Sequence, residues 1–201
     1  MNLSELQKQD FALEGAELNP TGKELNRKIK RIDVEHMRSR LEYANGRLIW
    51  KPIKVTNQYH KTWNKKYPSK FADKKQDIKG YRIVQMDGEQ FKAHRLIWAI
   101  VKGEDPLFFD IDHDDCNTSN NLIENLRKST YSQNKFNKKP GKNNSSGYKG
   151  VSWFSREKKW VAQIWKNGNK HVLGYFDDPE SAHLAYCIAS KKLHGEFGRV
   201  E

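Results

Sequence analysis

The sequence is poor in cysteine, with Cys116 and Cys187 alone, and it has no C-x-x-C pair. A structural zinc site built from cysteine pairs is therefore excluded. No run approaches the ~20 apolar residues that a transmembrane helix needs. The opening residues, MNLSELQKQDFALEG, lack the apolar core of a secretory signal. These absences predict a soluble protein of a reducing cytoplasm, without structural zinc.

Apolar residues are also scarce, at 36% of the chain against 31% charged residues, so we expect small modules instead of one large core. Positive charge is abundant, and the formal net charge is +12. Nucleic acid is the usual partner of such a protein, because each neutralised phosphate releases counterions. A membrane surface would call for a basic amphipathic helix or a lipidation site, and neither is evident. No obligate protein partner is implied.

The N-terminal part, residues 1–44, is predicted to be a charged helical extension. Within it, Asp33 is placed to cap a helix that continues through Leu41 and stops before Gly46. The short segment RLIWK is predicted to be a strand. Residues 52–79, rich in Lys, Asn and Gln with little periodicity, are predicted to be a long loop.

A hairpin is predicted around Asp87-Gly88, because this dipeptide lies between two β-rich runs. The following segment, HRLIWAIVKG, has apolar residues at helical spacing, with Gly103 as its stop. Together with the acidic segment described next, this region predicts a central module at 45–137.

A basic, polar linker rich in Lys, Asn and Gly is predicted at 138–147. After it come three β-rich runs, with Asn167-Gly168 marking a turn, and a helix that Asp178 is placed to cap. Residues 148–201 are therefore predicted to form a three-stranded antiparallel sheet with one helix packed on it. The predicted fold class of the chain is α+β.

The segment DIDHDDCNTSNNLIENLRKSTYSQN, residues 110–134, holds four Asp, one His and five Asn. Its pattern predicts strand, loop, strand and helix, with Asp112 and His113 near the end of the first strand. Asn134 falls about one turn into the helix. Carboxylate and amide oxygens suit a hard cation such as Mg²⁺, and a neutral imidazole suits a general base. The local chemistry allows either a hydrolytic centre or an asparagine-rich structural loop.

Strand geometry leaves the choice of carboxylate open. Neighbours on a strand point to opposite faces, so Asp112 and His113 reach one site only where the strand ends or twists. Asp110 or Asp114 could instead supply the carboxylate.

The residues AHRLIWAI, followed by DIDHDDCNTSNNLIENLRKSTYSQN, resemble an HNH endonuclease of the phage and intron homing type. The resemblance covers about residues 45–137 and implies a ββα-metal nuclease fold that cleaves DNA with Mg²⁺ or Mn²⁺. It implies that His113 is the general base, and that Asp112 and Asn134 hold the metal. It further implies that Asn125 orients the loop by hydrogen bonds to its backbone. His94 matches a recurrent family histidine, for which a structural role is expected.

The C-terminal residues GYKGV, KWVAQI, LGYF and PESAHLAY resemble the plant-type APETALA/ethylene-response-factor DNA-binding domain. That family inserts a three-stranded sheet into the major groove of DNA. The resemblance and the residue chemistry imply that the DNA-binding residues are Lys149, Ser152, Phe154, Arg156, Gln163, Trp165 and Lys170, and Val172 also matches a contact position. Several family arginines are absent there, so the plant target sequence does not carry over.

The sequence therefore predicts a metal-dependent homing endonuclease that cuts double-stranded DNA at a site chosen with its C-terminal domain, in the cytoplasm of a host cell. One alternative is a DNA-binding transcriptional regulator with a vestigial nuclease site. A second alternative, an RNA-binding protein, should carry RRM-type aromatic motifs or a KH loop, and the sequence has neither.

Overall fold

The computed structural model describes residues 30–141, 143–166 and 168–200. It shows a mixed α and β structure of small sheets and helices, which divides into two compact units between Tyr131 and Ser132. Most of the predicted N-terminal extension, and Asn167 of the predicted turn, lie outside the described residues. Within those ranges, no helix combines the length and the apolar character needed to cross a membrane.

The first unit consists of short helices and strands. In chain order they are α1 (Val34–Arg40), β1 (Leu41–Ala44), β2 (Arg47–Trp50), α2 (Gln58–Lys66), β3 (Lys75–Gln76), β4 (Arg82–Met86), β5 (Glu89–Lys92), α3 (Ala93–Lys102), β6 (Asp110–His113), a 3₁₀ turn (Ile123–Asn125) and β7 (Leu126–Ser129). The strands form the antiparallel sheets β1–β2, β3–β4–β5 and β6–β7. One core joins α3 to these sheets through buried side chains that include Leu41, Leu48, Val84, Met86, Leu96, Ile97, Ile111 and Leu126.

Helix α1 begins as predicted, because Asp33 Oδ1 accepts the His36 amide hydrogen at 3.0 Å. The prediction that it continues through Leu41 is wrong, since β1 starts there and pairs with β2. Asn45 and Gly46 have φ angles of 47° and 74°, the left-handed geometry that a two-residue hairpin turn requires. This hairpin crosses the module boundary predicted between residues 44 and 45.

The predicted loop over 52–79 is wrong as well, because it contains α2 and β3. Asn57 Oδ1 accepts the His60 amide hydrogen at 2.9 Å and so caps α2. Trp63 is the buried side chain of this helix, and its ring packs edge-on against Trp50, 5.5 Å between centroids. One large anchor therefore holds a helix whose other positions are mostly polar, which is why its periodicity is weak.

The predictions for the next elements are confirmed. Asp87 and Gly88 join β4 to β5 with φ angles of 51° and 79°. Helix α3 ends at Gly103, which has a φ of 76° and donates its amide hydrogen to the Ala99 carbonyl. Because α3 is buried along most of its length, it fixes the position of β6, which carries the acidic segment.

The second unit begins in α4 (Tyr131–Phe136), which crosses the division between the units. It continues with β8 (Val151–Phe154), β9 (Lys159–Lys166), β10 (Asn169–Phe176), α5 (Pro179–His194) and a 3₁₀ turn (Gly195–Phe197). The strands form an antiparallel sheet in the order β10–β9–β8. Helix α5 is capped by Asp178 Oδ1, which accepts the Ser181 amide hydrogen at 2.7 Å.

Close packing between sheet and helix depends on one glycine. Gly150 has a φ of 75°, and a Cβ at this position would lie 2.0 Å from Cδ2 of Tyr186. Tyr186 is buried on α5 together with Ala182 and Ala185, next to Ile164 of β9. The small residues of α5 let the helix lie close to the sheet, and the missing side chain at Gly150 makes room for the tyrosine ring.

Candidate active site

The Asp-His pair that the sequence singles out lies at the end of β6. The pairing with β7 sets Asp112 opposite Arg127 and His113 opposite Leu126. Side chains that follow one another on a strand point to opposite faces, and these two contact different groups. Both are buried, with 6% of Asp112 and 4% of His113 exposed.

The carboxylate of Asp112 lies against the guanidinium of Arg127. Arg127 Nε and Nη2 lie 3.1 Å and 3.0 Å from Asp112 Oδ2. Arg127 Nη1 lies 2.7 Å from Asp114 Oδ1, two residues further along the chain. A buried carboxylate is strongly unfavourable without such a partner. The arginine thus compensates the negative charge and fixes the orientation of Asp112.

The imidazole of His113 is oriented by a buried amide. His113 Nε2 lies 2.9 Å from Asn121 Oδ1, and Asn121 is 1% exposed. Since an amide oxygen accepts hydrogen bonds and donates none, Nε2 carries the hydrogen in this arrangement. The neutral ring is then in the tautomer whose Nδ1 can accept a proton, which is the property of a general base.

Two further rings surround His113. The centroid of His94 lies 5.0 Å from that of His113 in an edge-to-face arrangement. Tyr81 contacts both rings, at 5.1 Å from His94 and 5.8 Å from His113. His94 and Tyr81 therefore restrict how the His113 ring can turn, which supports the structural role expected for His94.

The surroundings favour neutral imidazoles. Burial lowers the pKa of His113, against the opposing effects of the Asn121 hydrogen bond and the carboxylates of Asp115 and Asp112. Burial, reinforced by His113 and nearby cations, lowers the pKa of His94 well below its usual range. A general base must be unprotonated before it can accept a proton, so a lowered pKa suits His113 to this role near neutral pH.

The loop between β6 and β7 is held by Asn125. Its Oδ1 accepts the Asp115 amide hydrogen at 3.0 Å, and its Nδ2 donates to Asp115 Oδ1 and to the Asn120 carbonyl at 2.9 Å and 2.8 Å. Burial opposes ionisation of Asp115, but hydrogen bonds from Asn120, Asn117 and Asn125 outweigh it and lower its pKa. These contacts match the loop-orienting role that the resemblance implies for Asn125.

The oxygen donors near β6 are of the type that a hard cation binds. Mg²⁺ is commonly held by one or two carboxylates together with substrate phosphates, and Asp112 and Asp114 are carboxylates of this kind. Asn134 lies in α4, on the other side of the division between the compact units. Within the described ranges, no three His, Cys, Asp or Glu side chains are grouped so that they could hold a metal by themselves.

The candidate DNA-binding residues of the second unit fall into three places. Five of them alternate away from the helix-facing positions of the sheet, as the strand pairing shows: Ser152, Phe154, Gln163, Trp165 and Lys170. Arg156 is exposed in the turn between β8 and β9. Lys149 lies apart from both groups, because its Nζ donates to the Phe136 carbonyl of α4.

The sequence alone did not assign roles to the residues that hold the Asp-His pair. Arg127 belongs to the ENLR motif and Asn121 to the Asn-Asn pair. The motifs contain both residues but do not indicate which side chains they contact. Strand register identifies one of them, since pairing β6 with β7 sets Arg127 directly opposite Asp112. Tyr81 had no comparable signal, because its contact with His113 depends on tertiary packing.

Comparison with known proteins identifies the family of this site. A family model described as HNH endonuclease matches residues 91–135, which include the Asp-His pair. Protein 3.8 of Escherichia phage T7 is 32% identical over 108 residues, 54% of this chain and 88% of that protein. An uncharacterised HNH endonuclease of Acanthamoeba polyphaga mimivirus is 36% identical over 115 residues, 57% of this chain and 59% of that protein. No solved structure matches the chain.

The family model covers the segment in which the buried carboxylate and the oriented imidazole lie. The alignment with the phage protein extends over most of that relative's length. The chain therefore contains an HNH endonuclease domain, the domain of enzymes that cleave DNA.

Proposed function

We propose that this protein is a metal-dependent DNA endonuclease of the homing type in which His113 is the general base. The observation that carries the proposal is the hydrogen bond between His113 Nε2 and Asn121 Oδ1, which selects the tautomer with a basic Nδ1. The proposed metal ligands are Asp112 and Asn134, and Mg²⁺ or Mn²⁺ is the expected cation. Such an ion would neutralise phosphate charge and stabilise the leaving 3′ oxygen.

The remaining steps belong to side chains of this chain. His113 Nδ1 takes a proton from a water molecule while the water oxygen attacks the phosphorus atom, and the bond from phosphorus to the 3′ oxygen breaks. Asn121, His94 and Tyr81 hold the imidazole ring in one orientation. Arg127 holds the Asp112 carboxylate in place. Because the chain has one proposed catalytic centre, we expect it to nick one strand of the duplex.

The C-terminal residues 148–201 are proposed to bind the target duplex, with the basic segment at 138–147 as a linker that contacts phosphates. The support is the resemblance to APETALA-type domains together with the exposed sheet face that carries Gln163, Trp165 and Lys170. A homing role is supported by relatives in a phage and a giant virus. The proposed site of action is the cytoplasm of a host cell, where the target DNA of a phage-type endonuclease lies.

The test is cleavage of supercoiled plasmid and of DNA flanking the protein's own gene, with Mg²⁺, with Mn²⁺ and with EDTA. Wild-type protein should nick in either metal and be inactive in EDTA. His113→Ala should lower the rate by about 10²- to 10⁴-fold, the usual contribution of a general base. His36→Ala is the matched control, because it removes a half-exposed imidazole that pairs with Asp87 away from β6.

Duplex affinity is measured in parallel by fluorescence anisotropy. It should be the same for wild type and His113→Ala, so that a loss of cutting reports chemistry and not binding. A His113→Ala protein that cuts at the wild-type rate would remove the general-base assignment. Binding without cutting on both substrates would favour the regulator with a vestigial site.

A further inference from the structure

The outward face of the C-terminal sheet carries several large apolar side chains that are exposed. We define the outer face by the residues that alternate away from α5, namely Ser152, Phe154, Lys159, Val161, Gln163, Trp165, Lys170, Val172 and Tyr175. Trp165 is 55% exposed and Val172 is 52% exposed. Phe154 and Tyr175 add a pair of rings whose centroids are 5.5 Å apart. Large apolar side chains exposed together on one face mark a binding surface.

The pairing of β9 with β10 sets the polar and apolar groups of this face side by side. Gln163 lies directly opposite Val172, and Trp165 lies directly opposite Lys170. Residues opposite each other in a pair of antiparallel strands have Cβ atoms about 5 Å apart. An amide group and an apolar surface are thus presented within the width of one or two base pairs.

The chemistry of these groups matches one kind of base pair. In the major groove, Gln contacts adenine through N6 and N7, and apolar side chains contact the methyl group of thymine. Arg is the side chain that most often contacts guanine, and the outer face as defined contains none. Lys170 lies on the outer face and Arg156 lies in the exposed turn between β8 and β9. Residues 148–200 carry more Lys and Arg than Asp and Glu, which suits them to contact phosphates.

We propose that the outer face selects A·T base pairs in the major groove, with Gln163 hydrogen-bonding adenine while Val172 and Trp165 contact thymine methyl groups. The inference rests on the proposed function, in which residues 148–201 bind the target duplex. It adds the class of sequence that they recognise.

The experiment selects duplexes from a random library with the full-length protein in EDTA, which prevents cutting. The selected duplex is then compared with versions in which each thymine is replaced by uracil, a change that removes only the 5-methyl group. We expect A·T pairs in the core of the selected site. Each contacted methyl group that is removed should lower the affinity about fourfold, which corresponds to the free energy of about 0.8 kcal/mol for burying one methylene group.

Variants then connect each base to its side chain. Val172→Ala should bind the thymine and uracil duplexes equally at one position, because the apolar contact is already lost. Gln163→Leu should lower the preference for adenine at a neighbouring pair by about tenfold, since a good amide contact contributes about 1–3 kcal/mol. Leu184→Ala is the matched control, because it removes an exposed aliphatic side chain from α5, outside the outer face.

The outcomes separate this inference from the function on which it rests. The inference of A·T selection would be overturned by a selected site made of G·C pairs. It would also be overturned if replacing thymine by uracil left the affinity unchanged. Either result would leave the proposed duplex binding by residues 148–201 intact. A third outcome is that the selected site is bound as tightly by the variants as by wild type, for Trp165→Ala, Val172→Ala and Lys170→Ala alike. Another part of the chain would then recognise the DNA sequence. That result would overturn this inference together with the proposed role of residues 148–201 in binding the target duplex, and it would leave the endonuclease proposal standing.

Discussion

Removal of the Arg127 side chain should unfold the first unit at lower denaturant concentration. In Arg127→Met, the Asp112 carboxylate would stay buried, with 8% of its side chain exposed, but would lose its guanidinium. Breaking a buried ion pair by removing one partner costs about 3–5 kcal/mol. The side chain of Arg127 is 17% exposed, so we expect the lower end, about 3 kcal/mol in the free energy of unfolding. The contact with Asp114 adds little, because that side chain is 62% exposed.

The assay is urea unfolding followed by circular dichroism, with hydrogen exchange of the β6 and β7 amides to localise the effect. Lys128→Met is the matched control on the same strand, because Lys128 pairs with the half-exposed Glu104 and its loss should cost below about 1 kcal/mol. The double variant Asp112→Asn/Arg127→Met removes the buried charge together with its partner, so it should regain most of the lost stability. A single variant as stable as the Lys128 control, or a double variant no better than the single one, would refute the reasoning.

Three further predictions concern the loop, the sheet and the metal. Asn125→Ala removes three hydrogen bonds from the loop, and its free energy of unfolding should fall by about 2 kcal/mol with a lower nicking rate; unchanged protection of the Asp115 amide in hydrogen exchange would contradict this. Gly150→Ala should lower the free energy of unfolding, measured by thermal unfolding, by about 3 kcal/mol, because its Cβ would overlap the Tyr186 ring. Gly147→Ala, at the same φ of 75° but in open space, should lose only about 1 kcal/mol, and equal losses would show that the ring is not the cause. Chelation of divalent metal should stop cleavage reversibly, and activity should return with added Mg²⁺; steady cleavage in EDTA would argue against a metal-dependent reaction.

One aspartate-glycine pair and one asparagine-glycine pair show how much of the fold the local sequence can predict. Asp87-Gly88 was predicted as a turn because β-rich runs lie on both sides of it. Asn45-Gly46 makes the same kind of turn, but Met37 and Leu41 before it are spaced like one helix face. Both of these side chains are buried, and their spacing fits a helix face, so the apolar pattern did not distinguish a helix from a helix followed by a strand.

The site shows a similar limit. The motif gave the order strand, loop, strand and helix, and it identified Asp112 and His113 as the central pair. It did not give the partners Arg127 and Asn121, because those contacts depend on the register of β6 against β7 and on the path of the loop. The ring of Tyr81, which is distant in sequence, was beyond any local pattern.

The strand geometry of β6 has a consequence for insertions and deletions. Asp112 and His113 are neighbours in sequence but contact separate groups, Arg127 on one side and Asn121 on the other. A single-residue change of length within β6 would exchange the two faces of the strand. The carboxylate would then turn towards the aromatic rings, and the imidazole towards the guanidinium. Gene variants with such a change should lose cleavage completely, whereas the fold should tolerate length changes at the exposed turn after Phe154.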